Sequence, residues 1–255
     1  MNPYTWSWNP EALVVLGLTA AYLGALRRYP APRWRTACFL TAMALLLVVS
    51  VTPIHNLAMH YLLTVHLLQN VVLAEWAPLL LVLGIPPALA ATLTRSAPIR
   101  ALTHPAIALP LWLANYMLWH LPWLYDSALE NPNTLLHLEH ALYLLTGIAM
   151  WWCVFQNEPH RLGAGVRAGY VFAAFVLGSP VGLVLALVPN AIYDFYVAAH
   201  HRVWGLDPLE DQQLAGMLMA IEQAAVFFAV FAYWFFRFLA EEERREDVDH
   251  PPAHA

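Results

Sequence analysis

Residues 57–83 read LAMHYLLTVHLLQNVVLAEWAPLLLVL, and this stretch decides the fold. The run is long enough to cross the hydrocarbon core of a bilayer, which takes roughly 20 apolar residues. Its middle part nevertheless contains His66, Gln69, Asn70 and Glu75. Polar groups are costly in hydrocarbon and need partners there. The stretch therefore predicts a membrane helix with polar side chains that serve a purpose inside the bundle.

The rest of the chain has the same apolar character. Its 255 residues are 60% hydrophobic and 11% charged, and the mean hydropathy is +0.54. This composition is typical of a polytopic membrane protein. It predicts an all-α bundle of seven transmembrane helices over residues 1–240, followed by an acidic, disordered cytoplasmic tail over residues 241–255. The predicted spans are Ala12–Leu26, Ala37–Ile54, Leu57–Leu83, Ile107–Leu121, Leu135–Phe155, Gly169–Val188 and Leu214–Leu239.

The arginines predict the orientation of this bundle. The chain has no lysine, and eleven of its twelve arginines lie at or beyond the C-terminal end of predicted helix 1, 3, 5 or 7, the exception being Arg202. The positive-inside rule then places the N-terminus outside and the C-terminus in the cytoplasm. The absence of lysine excludes a retinal Schiff base. The few arginines are explained by topology, so we predict no nucleic-acid binding.

Histidines gather on the outer side of this topology. Eight of the twelve lie in outer loops or in the outer halves of predicted helices 3, 4 and 5: His55, His60, His66, His120, His137, His140, His200 and His201. Residues three and four apart share a helix face, which groups His66 with Gln69 and Asn70, Met117 with His120, and His137 with His140. Imidazole with thioether suits copper, and imidazole with carboxylate suits zinc or iron. The three groups predict one metal or redox site, and the alternative is amphipathic rings at the headgroup level.

Two acids form a separate feature. Glu75 lies nine residues beyond His66, which is roughly 13 Å deeper and about half a turn round the helix. Glu222 lies at a similar depth in the last predicted helix. Carboxyls at this depth are protonated, paired or next to water. We favour a pair of neutral acids hydrogen-bonded to tryptophan or backbone, and the alternative is a proton or cation relay.

Four stretches carry a resemblance to a known family. HLLQNVVLAEWAPLLLVLGIPP, residues 66–87, resembles the helix 3 signature of the CtaG-type cytochrome c oxidase assembly factors, H-x-x-Q-H followed by A-P-x-L-L-V-L-G-x-P. LWHLPWLYDSAL, LLHLEHALYLLTGIAMWW and RVWGLDPLEDQQLAGMLM are similar to further family motifs in the same order, over about residues 50–240. The resemblance implies a seven-helix protein of the bacterial cytoplasmic (inner) membrane. It also implies a copper-binding chaperone for caa-type oxidases that is not an enzyme, with oxidase subunits or other assembly factors as its partners.

The resemblance also implies the site residues. The copper ligands on the outer, periplasmic side would be His66, His120 and His140, with His137, Met117 and Met219 as auxiliary ligands. Gln69 matches the second polar position of the helix 3 motif. Asn70 stands where the family has a second histidine, and Met219 is followed by AIEQ in place of a Pro-Gly-Gly-like step. These departures imply a divergent member with a changed metal preference or an altered role.

Two other cofactors stay open at the level of sequence. Haem b also needs histidines on different helices. An iron or zinc site would use Glu75, Glu139 and Glu222 together with histidines. The half-turn offset of Glu75 and the lack of an H-E-x-x-H motif disfavour this last alternative, and copper is the prediction.

Overall fold

The computed structural model describes residues 2–199 and 202–249, and every regular element of these residues is a helix. The predicted all-α class is confirmed. The helices are α1 Glu11–Ala25, α2 Arg33–Val51, α3 Pro53–His60, α4 Leu63–Val71, α5 Ala77–Gly84, α6 Pro87–Leu93, α7 Ala97–Leu102, α8 Pro105–Trp119, α9 Pro122–Glu130, α10 His137–Phe155, α11 Ala164–Gly178, α12 Pro180–Leu187, α13 Asp194–Val197 and α14 Pro208–Asp249. Short π-helical segments at Val72–Trp76 and Pro132–Leu136 lead into α5 and α10.

Five helical stretches are long and apolar enough to cross a membrane. They are Arg33–Val51, Leu63–Gly84, Pro132–Phe155, Ala164–Leu187 and Pro208–Glu246. The other two predicted spans correspond to α1 and α8, which have 15 residues each. A helix of that length extends about 22 Å, which is less than the roughly 30 Å of a hydrocarbon core. The structure therefore gives five spans by length and composition, against seven in the prediction.

The last helix is longer than the sequence predicted. Asp207 begins it with a capping box: its carboxylate accepts from the backbone N–H groups of Leu209 and Glu210, both at 2.8 Å, and Glu210 accepts in return from the Asp207 N–H at 3.0 Å. The helix continues through residues 241–249, where a run of good helix formers includes the pair Glu242–Arg245 at 2.6 Å. This part of the predicted tail is thus helical rather than disordered. Residues 250–255 lie outside the described part of the chain.

The π-helical segment Val72–Trp76 fixes how the central helix meets α10. A π turn takes up an extra residue and turns the following side chains relative to a regular helix. Gly147 of α10 faces this turn, and a Cβ at that position would lie 2.2 Å from the Ala74 carbonyl oxygen and 2.7 Å from Pro78 Cγ. Only glycine fits such an approach. The contact holds the segment that carries Glu75 against α10.

Candidate functional site

Asp211 positions the beginning of α4, the helix that carries His66. The residue before α4 is Leu62, which offers no capping side chain. The fully buried Asp211 carboxylate of α14 takes this role: it accepts from the N–H groups of Leu63 at 2.7 Å and Thr64 at 2.9 Å, and from the Thr64 hydroxyl at 2.7 Å. Free N–H groups at a helix start need such an acceptor. A side chain 148 positions beyond Leu63 therefore sets the place of His66.

Three predicted ligands share one bonding pattern. His66, His120 and His140 are all buried. In each, Nδ1 has a partner, whereas the buried Nε2 has none among the described residues. The Nδ1 partners are the Tyr196 hydroxyl at 2.8 Å for His66, the Tyr116 carbonyl at 2.7 Å for His120 and Glu11 Oε1 at 3.0 Å for His140. A histidine held through one nitrogen with the other nitrogen free has the arrangement of a metal ligand.

The partners also define the tautomers. The Tyr116 carbonyl and the Glu11 carboxylate accept, so Nδ1 of His120 and of His140 carries the proton. Tyr196 donates its hydroxyl hydrogen to the Ala58 carbonyl at 2.5 Å. Its oxygen therefore accepts from His66, whose Nδ1 is also protonated. In the neutral ring, Nε2 then presents a lone pair, and this is the form of imidazole that binds metals.

The structure does not gather these nitrogens into a closed site. Among the described residues, no three His, Cys, Asp or Glu side chains are placed to share one metal ion. Tyr125 of α9 is a neighbour of two of the rings, with its centroid 5.2 Å from that of His66 and 6.3 Å from that of His120. The predicted convergence on one point is thus replaced by a buried layer in which tyrosines lie next to the histidines.

Glu11 of α1 contacts both His137 and His140. His137 Nδ1 lies 2.8 Å and His140 Nδ1 3.0 Å from the same oxygen, Oε1. The two histidines therefore share a face, as their spacing predicted. His55 lies nearby, with Nδ1 at 3.4 Å from Gln69 Nε2. Burial, aided by the charge of His140, lowers the pKa of His55 to about 4.

The polar residues of the central helix have separate partners. Asn70, at the position of the family's second histidine, donates to Glu139 Oε1 at 3.1 Å, and both side chains are buried. Gln69 bonds His55, and His66 bonds Tyr196. The shared stripe predicted for these three residues is buried throughout, but its members contact three different helices.

The predicted sulfur ligands lie elsewhere. Met117 is 43% exposed on the surface of α8, whereas His120 is buried. The prediction that they share one helix face is wrong, because α8 ends at Trp119 and His120 has left the helical conformation, with φ −90° and ψ 0°. Met219 of α14 is buried in the apolar core of the bundle, where it faces Gly182 of α12.

The two deep acids meet at one turn of α14. Gln223 Nε2 donates to Glu75 Oε1 at 2.9 Å and to the Tyr116 hydroxyl at 3.1 Å. Trp76 Nε1 donates to Glu222, and tryptophan is one of the two kinds of partner named in the favoured interpretation. Tyr116 also accepts from His120 through its carbonyl. Tyr116 therefore connects the buried histidines to the deep acids, through its carbonyl on one side and its hydroxyl on the other.

A short segment around α13 covers the histidines. The Tyr193 hydroxyl donates to the His120 carbonyl at 3.2 Å, and Tyr196 reaches His66. Asp126 of α9 holds this segment by accepting from the N–H groups of Asp194 at 3.1 Å and Phe195 at 3.3 Å. His200 and His201, predicted on the same side, lie outside the described residues.

Three residues of the site were not predicted from the sequence: Glu11, Asp211 and Tyr125. Glu11 has a signal, since it is the only charged residue of α1. Asp211 belongs to a run of acids that already explains a helix start. Tyr125 is one of eleven tyrosines, and only the fold places it next to two histidines.

These features define a helical membrane protein with a buried histidine–tyrosine network near one end of its helices. The family model of the cytochrome c oxidase caa3 assembly factors, Caa3_CtaG, matches residues 19–241, which is most of the chain. The chain belongs to this family, and the family prediction is confirmed. Comparisons with curated proteins and with solved structures found no significant match.

Proposed function

We propose that this protein binds copper as cargo and passes it to a cytochrome c oxidase during assembly, with oxidase subunits or other assembly factors as partners. Membership of the caa3 assembly factor family supports the assembly role. The observation that carries the copper assignment is the set of three buried imidazoles, His66, His120 and His140, each with Nδ1 bonded and Nε2 free. Neutral imidazole is a good copper ligand. In this role the chain turns over no substrate.

The open arrangement of the three nitrogens fits cargo better than a resident metal. A permanent metal centre has its full ligand set gathered around one point. Here no such set of three is preformed among the described side chains. An ion held by an incomplete set keeps positions for ligand exchange, which delivery to a client requires.

A cavity of about 270 Å³ offers a path to His140. Glu11, Ser50, His137 and His140 line its polar part. Apolar side chains of α1, α2, α10 and the first π-helical segment line the rest. His137 is 30% exposed, against 3% for His140. In the proposal His137 takes the ion at the rim and His140 receives it inside.

The proposal includes the topology. α1 and α8 join the five long spans to give seven, the N-terminus is outside, and the C-terminus is in the cytoplasm of a bacterial cell. The histidine layer then faces the periplasmic side of the inner membrane.

The alternatives have less support from the contacts. The Tyr125 ring lies within 6.3 Å of both His66 and His120, in space that a porphyrin between these histidines needs. For an iron or zinc site, the acids Glu75, Glu139 and Glu222 already bond Gln223, Asn70 and Trp76. An absorption spectrum of the protein as purified distinguishes haem b by its Soret band.

A copper titration tests the proposal. Purified full-length protein competes with a coloured Cu(I) chelator, and we expect one strongly bound copper per chain. His66→Ala and His120→Ala should each abolish this binding. His104→Ala and His160→Ala are matched controls, because these two histidines pair with each other, with ring centroids 4.7 Å apart, near the opposite ends of the helices. Unchanged copper stoichiometry in both site variants contradicts the assignment.

A further inference from the structure

A second polar cavity lies far from the histidines. It has a volume of about 910 Å³ and includes Leu83 in its wall, at the other end of the continuous helix that carries His66. Leu83 lies seventeen residues beyond His66 along this helix, or roughly 25 Å. Among the described residues, four arginines and one acid, Glu241, line it; the arginines are Arg35, Arg161, Arg167 and Arg237.

Arg167 is the buried member of this group, with 4% of its surface exposed. It donates to the Gln156 carbonyl at 3.1 Å and to Asn157 Oδ1 at 2.6 Å, while its buried Nε has no partner among the described residues. No carboxylate of the described residues lies within 4.0 Å of the Arg167 guanidinium. The ion pairs in the described part of the chain are those of Glu11 with two histidines and of Glu242 with Arg245. A buried charge without a counter-charge is costly.

Aromatic rings hold the guanidinium groups in place. Arg167 lies 4.5 Å and Arg237 5.7 Å from the ring centroid of Trp234, and Arg35 lies 4.5 Å from that of Trp34. Arg35 also donates to the carbonyls at the end of α5. Such cation–π contacts orient the charges without neutralising them. The cavity therefore presents several fixed positive groups to an anion.

We propose that this cavity binds the headgroup phosphate of an anionic phospholipid. The planar guanidinium matches a phosphate with two parallel hydrogen bonds, and basic pockets between membrane helices take acidic lipid headgroups. The wall continues into apolar side chains, among them Leu83, Phe155 and Val230, which suit acyl chains. Trp34 and Tyr233 are each 51% exposed at the rim, as interfacial aromatic residues are. A soluble phosphate needs neither feature.

Native mass spectrometry of the full-length protein in detergent tests this. We expect phosphatidylglycerol to stay bound at one molecule per chain, with phosphatidylcholine at least tenfold weaker. Arg161→Gln and Arg237→Gln change exposed arginines, so the fold tolerates them, and each should weaken phosphatidylglycerol binding roughly tenfold. Arg95→Gln and Arg100→Gln remove exposed arginines outside the cavity and should leave binding unchanged.

Three results overturn the proposal. Equal binding of the two lipids shows that charge is not recognised. An equal loss in the control variants shows a general effect of charge rather than this cavity. Displacement of the lipid by millimolar inorganic phosphate shows a free-phosphate site. Arg167→Lys adds a check, because it keeps the charge but loses the planar fork and should weaken phosphatidylglycerol binding.

Discussion

Replacing Asp211 by alanine removes the anchor that holds α4 in place. The carboxylate accepts three hydrogen bonds from the first residues of α4, at 2.7–2.9 Å, and is fully buried. Alanine leaves the two backbone N–H groups without this acceptor, whereas the Thr64 hydroxyl keeps the backbone carbonyl of residue 211 at 2.9 Å. Asparagine keeps one acceptor oxygen at nearly the same volume, so Asp211→Asn is the milder change.

The magnitude follows from these three bonds. A hydrogen bond to a charged group contributes about 1.5–3 kcal/mol, and a buried donor left alone costs about 1–3 kcal/mol. Since neighbouring terms do not add fully, we expect Asp211→Ala to lower the free energy of unfolding by about 3–5 kcal/mol and Asp211→Asn by roughly half of that. Asp207→Ala is the matched control, because it removes an exposed cap of α14 worth about 1 kcal/mol.

Unfolding of the purified protein by a rising fraction of denaturing detergent, followed by tryptophan fluorescence, measures these differences. Copper binding is measured on the same samples, and Asp211→Ala should weaken it because His66 loses its fixed place. A loss of stability in Asp211→Ala no larger than in Asp207→Ala refutes the view that this carboxylate positions α4.

Three further changes test other parts of the structure by the same unfolding assay. Gly147→Ala forces a Cβ against the Ala74 carbonyl and should cost about 1–3 kcal/mol or more; Gly169→Ala, which meets no atom within 4 Å, should change stability by less than about 1 kcal/mol. Asn70→Ala removes the hydrogen bond to the buried Glu139 and should cost about 1–3 kcal/mol, and an unchanged stability would argue against this pair. Burial lowers the pKa of His55 from 6.5 to about 4, so the unfolded chain takes up this proton first, and stability should fall as the pH drops from 6.5 to 4. His55→Gln should reduce that slope, and an identical slope contradicts the burial of a neutral ring.

The apolar runs were sufficient to predict the helical class, because long apolar segments in a bilayer must satisfy their backbone internally. The number of membrane-crossing helices was harder to predict. α1 and α8 end after 15 residues, and length alone does not establish that they cross. Helix propensity in residues 241–249 outweighed the acidic composition that predicted disorder there.

Local spacing predicted the site only where the helix is regular. His137 and His140 lie inside α10 and share a helix face, as expected, and there both contact Glu11, which was not expected. His120 lies just past the end of α8, so the rule that relates it to Met117 fails.

Long-range partners were beyond the reach of spacing. Asp211 lies 147 positions from Thr64, and Glu11 lies 129 from His140. Such contacts depend on how the helices pack, which the spacing of residues along the chain does not reveal. The family resemblance implied which histidines are ligands, whereas the tyrosines next to them were identified only in the structure.

X-ray absorption at the copper edge, on full-length protein loaded with one Cu(I) per chain, tests the copper assignment most directly. We expect a spectrum dominated by imidazole nitrogen, which His66→Ala and His120→Ala lose and His104→Ala keeps. A spectrum without imidazole scattering, or one that the two site variants leave unchanged, would contradict it.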